Sequence, residues 1–339
     1  MKLASREDLL EIIRALPRAN DHARRVATER QSTLTKPPGS LGRLEELALW
    51  LCAWQGSTKP SLAKSQAIIF AGNHGIAEQG VSAYPQEVTR QMVANFEAGG
   101  AAINQLCRSV RASLSTHAID LHRPTADFSK QAAMTWDDCA DSINHGMNAV
   151  DIQADIVLLG EMGIANTTVA AAICSGLFGD DPENWVGRGT GINDHQLAQK
   201  AMLIRAAVAL HREQLDDPLN VLTVLGGHEQ AAIFGAVLQA RLHHIPVILD
   251  GYVCTAAAAP LQKLSSAALD HCVVGHVSSE PGHHRLLERL NKKALLDLDM
   301  RLGEGSGAAV ALAILRCAVE THNGMATFAE AGVADGENA

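Results

Sequence analysis

Apolar and polar positions alternate with two different periods along this chain. Over residues 1–60 the apolar positions recur at helical spacing. Residues 5–16 place Leu9, Leu10, Ile12, Ile13 and Leu16 on a helix that Pro17 stops. Residues 21–34 form a polar, Arg-rich helix, and Lys36-Pro37-Pro38-Gly39-Ser40 breaks the chain. Residues 41–55 are helical again, with Leu44, Leu47, Ala48 and Leu51 on one face and Gly56 at the end. No strand separates these helices, so they are expected to form an all-α unit.

From Gln66 onward short, continuous apolar runs replace the helical spacing. Strands are expected at 67–71, 113–121, 156–159, 221–225, 247–251 and 272–277. Most run directly into a glycine- or histidine-bearing turn: Gly72-Asn73-His74-Gly75, Gly160-Glu161-Met162-Gly163, Gly226-Gly227-His228-Glu229, Asp250-Gly251 and His276-Val277-Ser278. Helices are expected at 86–97, 167–178, 194–214 and 255–264, with Pro85 in the first turn of one and Asn166 or Thr167 capping another. Residues 122–147 are too polar to assign. Continuous apolar strands alternating with helices predict a parallel sheet covered on both faces. The fold class is therefore α/β: a Rossmann-like parallel sheet in a large domain, with a small all-α domain. The large domain is expected over 61–283. The small domain is expected to combine 1–60 with 284–339, its C-terminal helices not returning to the sheet, and to leave the Glu304 loop at the interface. Ligands of such sheets bind beyond the carboxyl ends of the strands, where the turns lie.

Composition narrows the function. The chain has 339 residues, is 47% hydrophobic, and carries a formal net charge of −9 without any Lys/Arg run. A nucleic-acid partner is not expected. The longest apolar stretches, such as 308–315, are too short to span a bilayer, and the N-terminus has no signal h-region. The seven cysteines are scattered without a CxxC pair, which suits a reduced, cytoplasmic protein.

The segment Leu302-Gly303-Glu304-Gly305-Ser306-Gly307 sets one carboxylate between glycines just before an apolar helix. Either it is a plain helix-start loop, or Glu304 faces a ligand at a helix N-terminus. Gly187-Arg188-Gly189-Thr190-Gly191 can offer backbone N–H groups to an anion, with Lys200 just over a turn into the next helix, or it is an ordinary surface loop. Asn166-Thr167-Thr168 opens a helix and serves as a cap or a second anion site. Ser82, Tyr84 and Gln91 could line an aromatic pocket or sit on a loop and helix surface. There is no GxxxxGK[ST], and Gly303, Gly305 and Ala308 follow a helical segment rather than a strand, which disfavours a dinucleotide fingerprint. The pairs His243-His244 and His283-His284 lack a third ligand at sensible spacing and read as helix-surface and loop histidines. No metal and no cofactor is expected.

Taken together, the motifs resemble the nicotinate-nucleotide–dimethylbenzimidazole phosphoribosyltransferase family. The matching stretches are 36–45, 72–77, 80–85, 160–168, 187–191, 275–282 and 302–309, in the family's order. Two positions depart from the usual pattern: Ala165 stands where the family has Gly, and Asn73 where it often has Asp. The first is expected to tighten a turn without losing the site; the second removes a charge. The resemblance implies a two-domain homodimer. It also implies transfer of the 5-phosphoribosyl group from nicotinate mononucleotide to 5,6-dimethylbenzimidazole, giving α-ribazole 5′-phosphate and nicotinate. Carried over by motif, Glu304 is the general base. Glu161, Asn166, Thr167, Gly189, Thr190, Gly191, Lys200 and Ser278 line the nucleotide site, and Ser82, Tyr84 and Gln91 the benzimidazole pocket. Two other readings stay open: the same chemistry on another base (adenine, a phenol or another benzimidazole), and a non-catalytic nucleotide-binding regulator. A dinucleotide oxidoreductase is more distant. Presence of both Glu161 and Glu304 favours chemistry, because a binding module needs no base.

Overall fold

The computed structural model describes residues 5–189 and 191–334. The chain opens with three helices, α1 (Arg6–Arg14), α2 (Asp21–Thr33) and α3 (Arg43–Gln55). Strand β1 (Ser65–Ala71) follows, then α4 (Glu87–Glu97), α5 (Ala102–Ser109), β2 (Ser113–Ala118), α6 (Trp136–Ala149) and β3 (Ile156–Met162). Next come α7 (Asn166–Phe178), α8 (Asp194–Leu210), α9 (Pro218–Leu225), α10 (His228–Leu242), β4 (Val247–Leu249), α11 (Tyr252–Leu264) and β5 (Cys272–Val274). The chain ends with α12 (Pro281–Arg289), α13 (Ser306–Gly324) and α14 (Phe328–Ala331).

The five strands pair in the order β2-β1-β3-β4-β5, all parallel. The chain winds outward from β1 to β2, then reverses and continues through β3 on the other side. Ligands of doubly wound sheets bind beyond the carboxyl ends of the strands. The strands read as continuous apolar runs because both faces are covered. Ile68, Phe70, Val157, Leu159, Val247 and Leu249 enter one core with α7, α9, α10 and α11. Ala67, Ile69, Ile156, Leu158 and Ile248 enter the other, against α3, α5 and α13. Successive residues of a strand thus serve opposite layers.

Three local expectations change. The run Val221–Leu225 is helical, not a strand: it is the buried end of α9. A short buried apolar run has no periodicity of its own. The deciding signal lies upstream, where the Asp217 side chain accepts from Leu219 N–H at 2.9 Å and Pro218 occupies the first turn. Second, the unassigned stretch contains α6, started by a Thr135/Asp138 capping box. Its Gly146 packs on α10 so closely that a side chain there would collide with the Ala232 carbonyl. Third, α13 does return to the sheet. Ala308, Ala309, Leu312 and Leu315 lie in the same core as β1, β3 and β4. It also packs against α3, so the N- and C-terminal helices do pair, as expected.

Candidate active site

The turns that follow β3, β4 and β5 line one cavity together with Val81 and Ser82, Arg188 and Gly189, and Arg301 to Gly303. It contains about 690 Å³ of empty space, its open mouth included. Ser82, Ala165, Asn166, Thr167, Gly189, Lys200, Ser278, Glu280 and Arg301 are among its walls.

Glu304 sits beside this cavity, one residue from the lining Gly303. Gly303, Glu304 and Gly305 have φ of 81°, 62° and 80°, three consecutive left-handed residues. Two are glycine, for which this is inexpensive; Glu304 itself carries the strain. The turn is held from two sides. Glu304 N–H donates to the Glu161 carbonyl at 3.3 Å. Gly305 N–H and Ala308 N–H donate to the two carboxylate oxygens of Asp250, at 3.2 and 2.9 Å. Asp250 is therefore the cap of α13, and His276 Nδ1 lies 3.6 Å from it. Gly160 permits the approach: a Cβ there would stand 2.5 Å from the Gly305 nitrogen.

Burial of Glu304, helped by the like charge of Asp250, pushes its carboxyl up to about 7. Glu161 is pushed well above the usual carboxylate range, first by burial and then by Asp250, Glu229 and Glu304. The Asn166 side chain donates to its carboxylate. Asp250 is raised too, by burial, with His276 and the α13 amides opposing. All three acids hold their protons more tightly than exposed carboxyls do, Glu304 near neutral pH.

The cavity lining also carries cationic groups. Lys200 is 1% exposed, and its ammonium donates to Thr167 Oγ1 at 2.8 Å and the Gly187 carbonyl at 3.2 Å. Burial lowers it to about 8, Glu280 opposing. Arg301 Nη1 donates to the Gly189 carbonyl at 3.1 Å, tying the Glu304 loop to the 187–191 turn.

The structure redistributes several expected roles. The cap of α7 is neither Asn166 nor Thr167 but Ala165, at φ 76° without a side-chain bond; Asn166 serves Glu161, and Thr167 serves Lys200. Two glycine amides of the 187–191 turn are already engaged: Gly189 N–H donates to Glu280 Oε1 at 2.8 Å, and Gly191 N–H to the Arg188 carbonyl at 2.9 Å. Thr190 lies outside the described residues. Ser278 lines the cavity, its hydroxyl accepting from Glu280 N–H at 3.3 Å. Ser82 reaches the cavity wall, whereas Tyr84, 52% exposed, and Gln91 stand outside the lining. His283 is not a loop histidine: it is fully buried, accepts from Ser278 N–H at 2.9 Å, and is lowered to about 3 by burial. Sequence reasoning passed over Asp250 and Glu280 as site residues. An acid closing an apolar strand and an acid before Pro at a helix start were the visible signals.

Ala165 also allows a stability test. A left-handed L-residue costs ~1–2 kcal/mol, and glycine's extra unfolded-state entropy takes back ~0.5–1 kcal/mol. Ala165→Gly is expected to stabilise the protein by about 0.5–1 kcal/mol, read as a higher urea midpoint at unchanged slope.

The phosphoribosyltransferase family profile matches residues 16–333. A nicotinate-nucleotide–dimethylbenzimidazole phosphoribosyltransferase of Ruegeria sp. (strain TM1040) is 53% identical over 334 residues, covering 98% of this chain and 99% of the relative. The protein of that name from Rhizobium meliloti (strain 1021) is 52% identical over 331 residues, 98% of each chain. The crystal structure of the Thermus thermophilus enzyme of that name superposes with a TM-score of 0.87 at 39% identity, covering 94% of this chain and 100% of the other.

Proposed function

This chain belongs to the nicotinate-nucleotide–dimethylbenzimidazole phosphoribosyltransferase family, and from that premise we propose that it moves the 5-phosphoribosyl group of nicotinate mononucleotide to 5,6-dimethylbenzimidazole. The products are α-ribazole 5′-phosphate and nicotinate. The observation that supports this most is the presence at one cavity of an elevated carboxyl, Glu304, beside the lining Gly303, and a buried ammonium, Lys200, in the lining.

The chemistry follows from the donor. Its base is a pyridinium on C1′, so when the C1′–N bond breaks the electron pair neutralises the ring, and nicotinate leaves without needing a proton. One benzimidazole nitrogen attacks C1′ from the opposite face, inverting β to α. The other nitrogen then gives its proton to Glu304. Burial makes Glu304 a stronger base than an exposed carboxylate and places its pKa near working pH. Glu161, held by Asn166, would face the sugar and offset positive charge developing at C1′. Lys200 and Thr167 would hold the phosphate, remote from the reacting carbon, so that binding energy there positions C1′. Ser82 would approach the benzimidazole. A cytoplasmic homodimer belongs to the same proposal. It is supported by the family resemblance, and the six described cysteines that are buried and unpaired suit a reducing compartment.

The test is an incubation of the protein with both substrates across pH 5–10, following nicotinate and α-ribazole phosphate by chromatography and mass spectrometry. The base works deprotonated and the phosphate clamp works protonated. kcat/KM is therefore expected to rise through about 7, as Glu304 ionises, and to fall above about 8, as Lys200 loses its proton. Failure to release nicotinate at any pH overturns the assignment. Release with a purine or phenol in preference to the benzimidazole moves it to a relative with another acceptor.

A further inference from the structure

Two turns lie behind the catalytic acids without any role in the scheme above: Gly72-Asn73-His74-Gly75 after β1, and Gly226-Gly227-His228-Glu229 before α10. They bring His74 and Glu229 together. His74 Nε2 lies 2.7 Å from Glu229 Oε1, and both side chains are fully buried. The pair is encased by backbone on three sides. A Cβ on Gly163 would lie 3.0 Å from His74 Nε2 and 3.1 Å from Glu229 Oε1; one on Gly227 would meet the His74 ring at 2.5 Å; one on Gly72 would collide with the Glu229 carboxylate. Gly163 is two residues beyond Glu161, and Gly72 N–H donates to the Met162 carbonyl at 3.0 Å. The pair therefore forms the floor on which the turn carrying Glu161 rests.

We propose that His74 and Glu229 are positioning residues for the reaction, whose balance of charge sets whether Glu161 carries a proton when it faces the sugar. Burying a carboxylate and an imidazole together is costly unless each compensates the other. A purely packed floor is served as well by apolar side chains. Glu229 is one of the like charges that push Glu161 up, and His74 is the imidazole that meets it at 2.7 Å. The other titratable groups facing this cluster are His228, Asp120, Asp138, Asp250, Cys254 and Glu304; all are common to the variants below. The proposal rests on the reading that Glu161 faces substrate, but its test does not need substrate.

The experiment is the carboxyl titration of Glu161, followed by NMR on protein labelled at the glutamate side-chain carboxyl and assigned by loss of the signal in Glu161→Gln. Glu229→Gln is expected to move the titration down, and His74→Gln to move it up, each by about one pH unit. That is the shift a unit charge exerts at roughly 10 Å across an effective dielectric of about 20. The double variant should return close to wild type, and the pH profile of kcat should shift in the same order. A structural role alone would move both single variants the same way or leave the titration unmoved, and either result overturns the proposal. If His74→Gln does not fold, Glu229→Gln decides by itself: an unmoved or raised titration overturns the proposal. Opposite shifts in a protein that does not turn over nicotinate mononucleotide would uphold the electrostatic coupling and reject the assigned reaction instead.

Discussion

Glu304→Gln is expected to lower turnover by ~10²–10⁴-fold, the usual worth of one positioned general base. The amide keeps the size of the side chain and cannot accept the benzimidazole proton. Its backbone, held left-handed between Gly303 and Gly305 and anchored by Asp250, is untouched. Binding of nicotinate mononucleotide, measured by calorimetry, should therefore survive while product formation is lost. The rise of activity through about pH 7 should vanish with it, because the group responsible no longer titrates. Substitution that leaves turnover intact would remove Glu304 from the base role, whatever the fate of the family assignment.

Lys200→Met is expected to act on binding instead. Methionine preserves most of the stem that fills this buried site and deletes the ammonium that meets Thr167 Oγ1 and the Gly187 carbonyl. A hydrogen bond to a charged group contributes ~1.5–3 kcal/mol, so KM for nicotinate mononucleotide should rise about 10–100-fold. The decline of kcat/KM above about pH 8 should flatten. Nicotinate ribonucleoside, which lacks the phosphate, is the control: wild type and variant should handle it alike. An equal loss on nucleotide and nucleoside would mean that Lys200 supports the 187–191 turn rather than the phosphate.

Both predictions depend on groups that the linear chain makes visible to different degrees. Glu304 stands out because it is the lone acid in a glycine-rich helix start, and glycines at 303 and 305 are what a left-handed turn demands. Lys200 is legible only by its proximity in sequence to the 187–191 turn. Its near-complete burial is not, since lysines are almost always exposed. The same limit hid His283, which reads as a loop histidine along the chain and which packing puts at 0% exposure beneath Ser278. Asp250 and Glu280 are single acids at a strand end and a helix start. Nothing local says that one caps a helix 55 residues later, or that the other takes an amide 91 residues earlier.

The sequence by itself determined the parallel α/β architecture, the glycine turns at the strand ends and the family. Continuous apolar strands and turn residues are local signals, set by backbone sterics and by burial on both faces. Val221–Leu225 marks the edge of that reach: an apolar run buried on all sides carries no period, and only its Asp217-Pro218 start declares a helix. Tertiary structure alone decided which acids meet. Glu161, Glu229, Asp250 and Glu304 come from four separate segments; burial raises Glu161, Asp250 and Glu304, and neighbouring like charges raise Glu161 and Glu304 further. Those are properties of the assembled site, because charge and desolvation act through space and not along the chain.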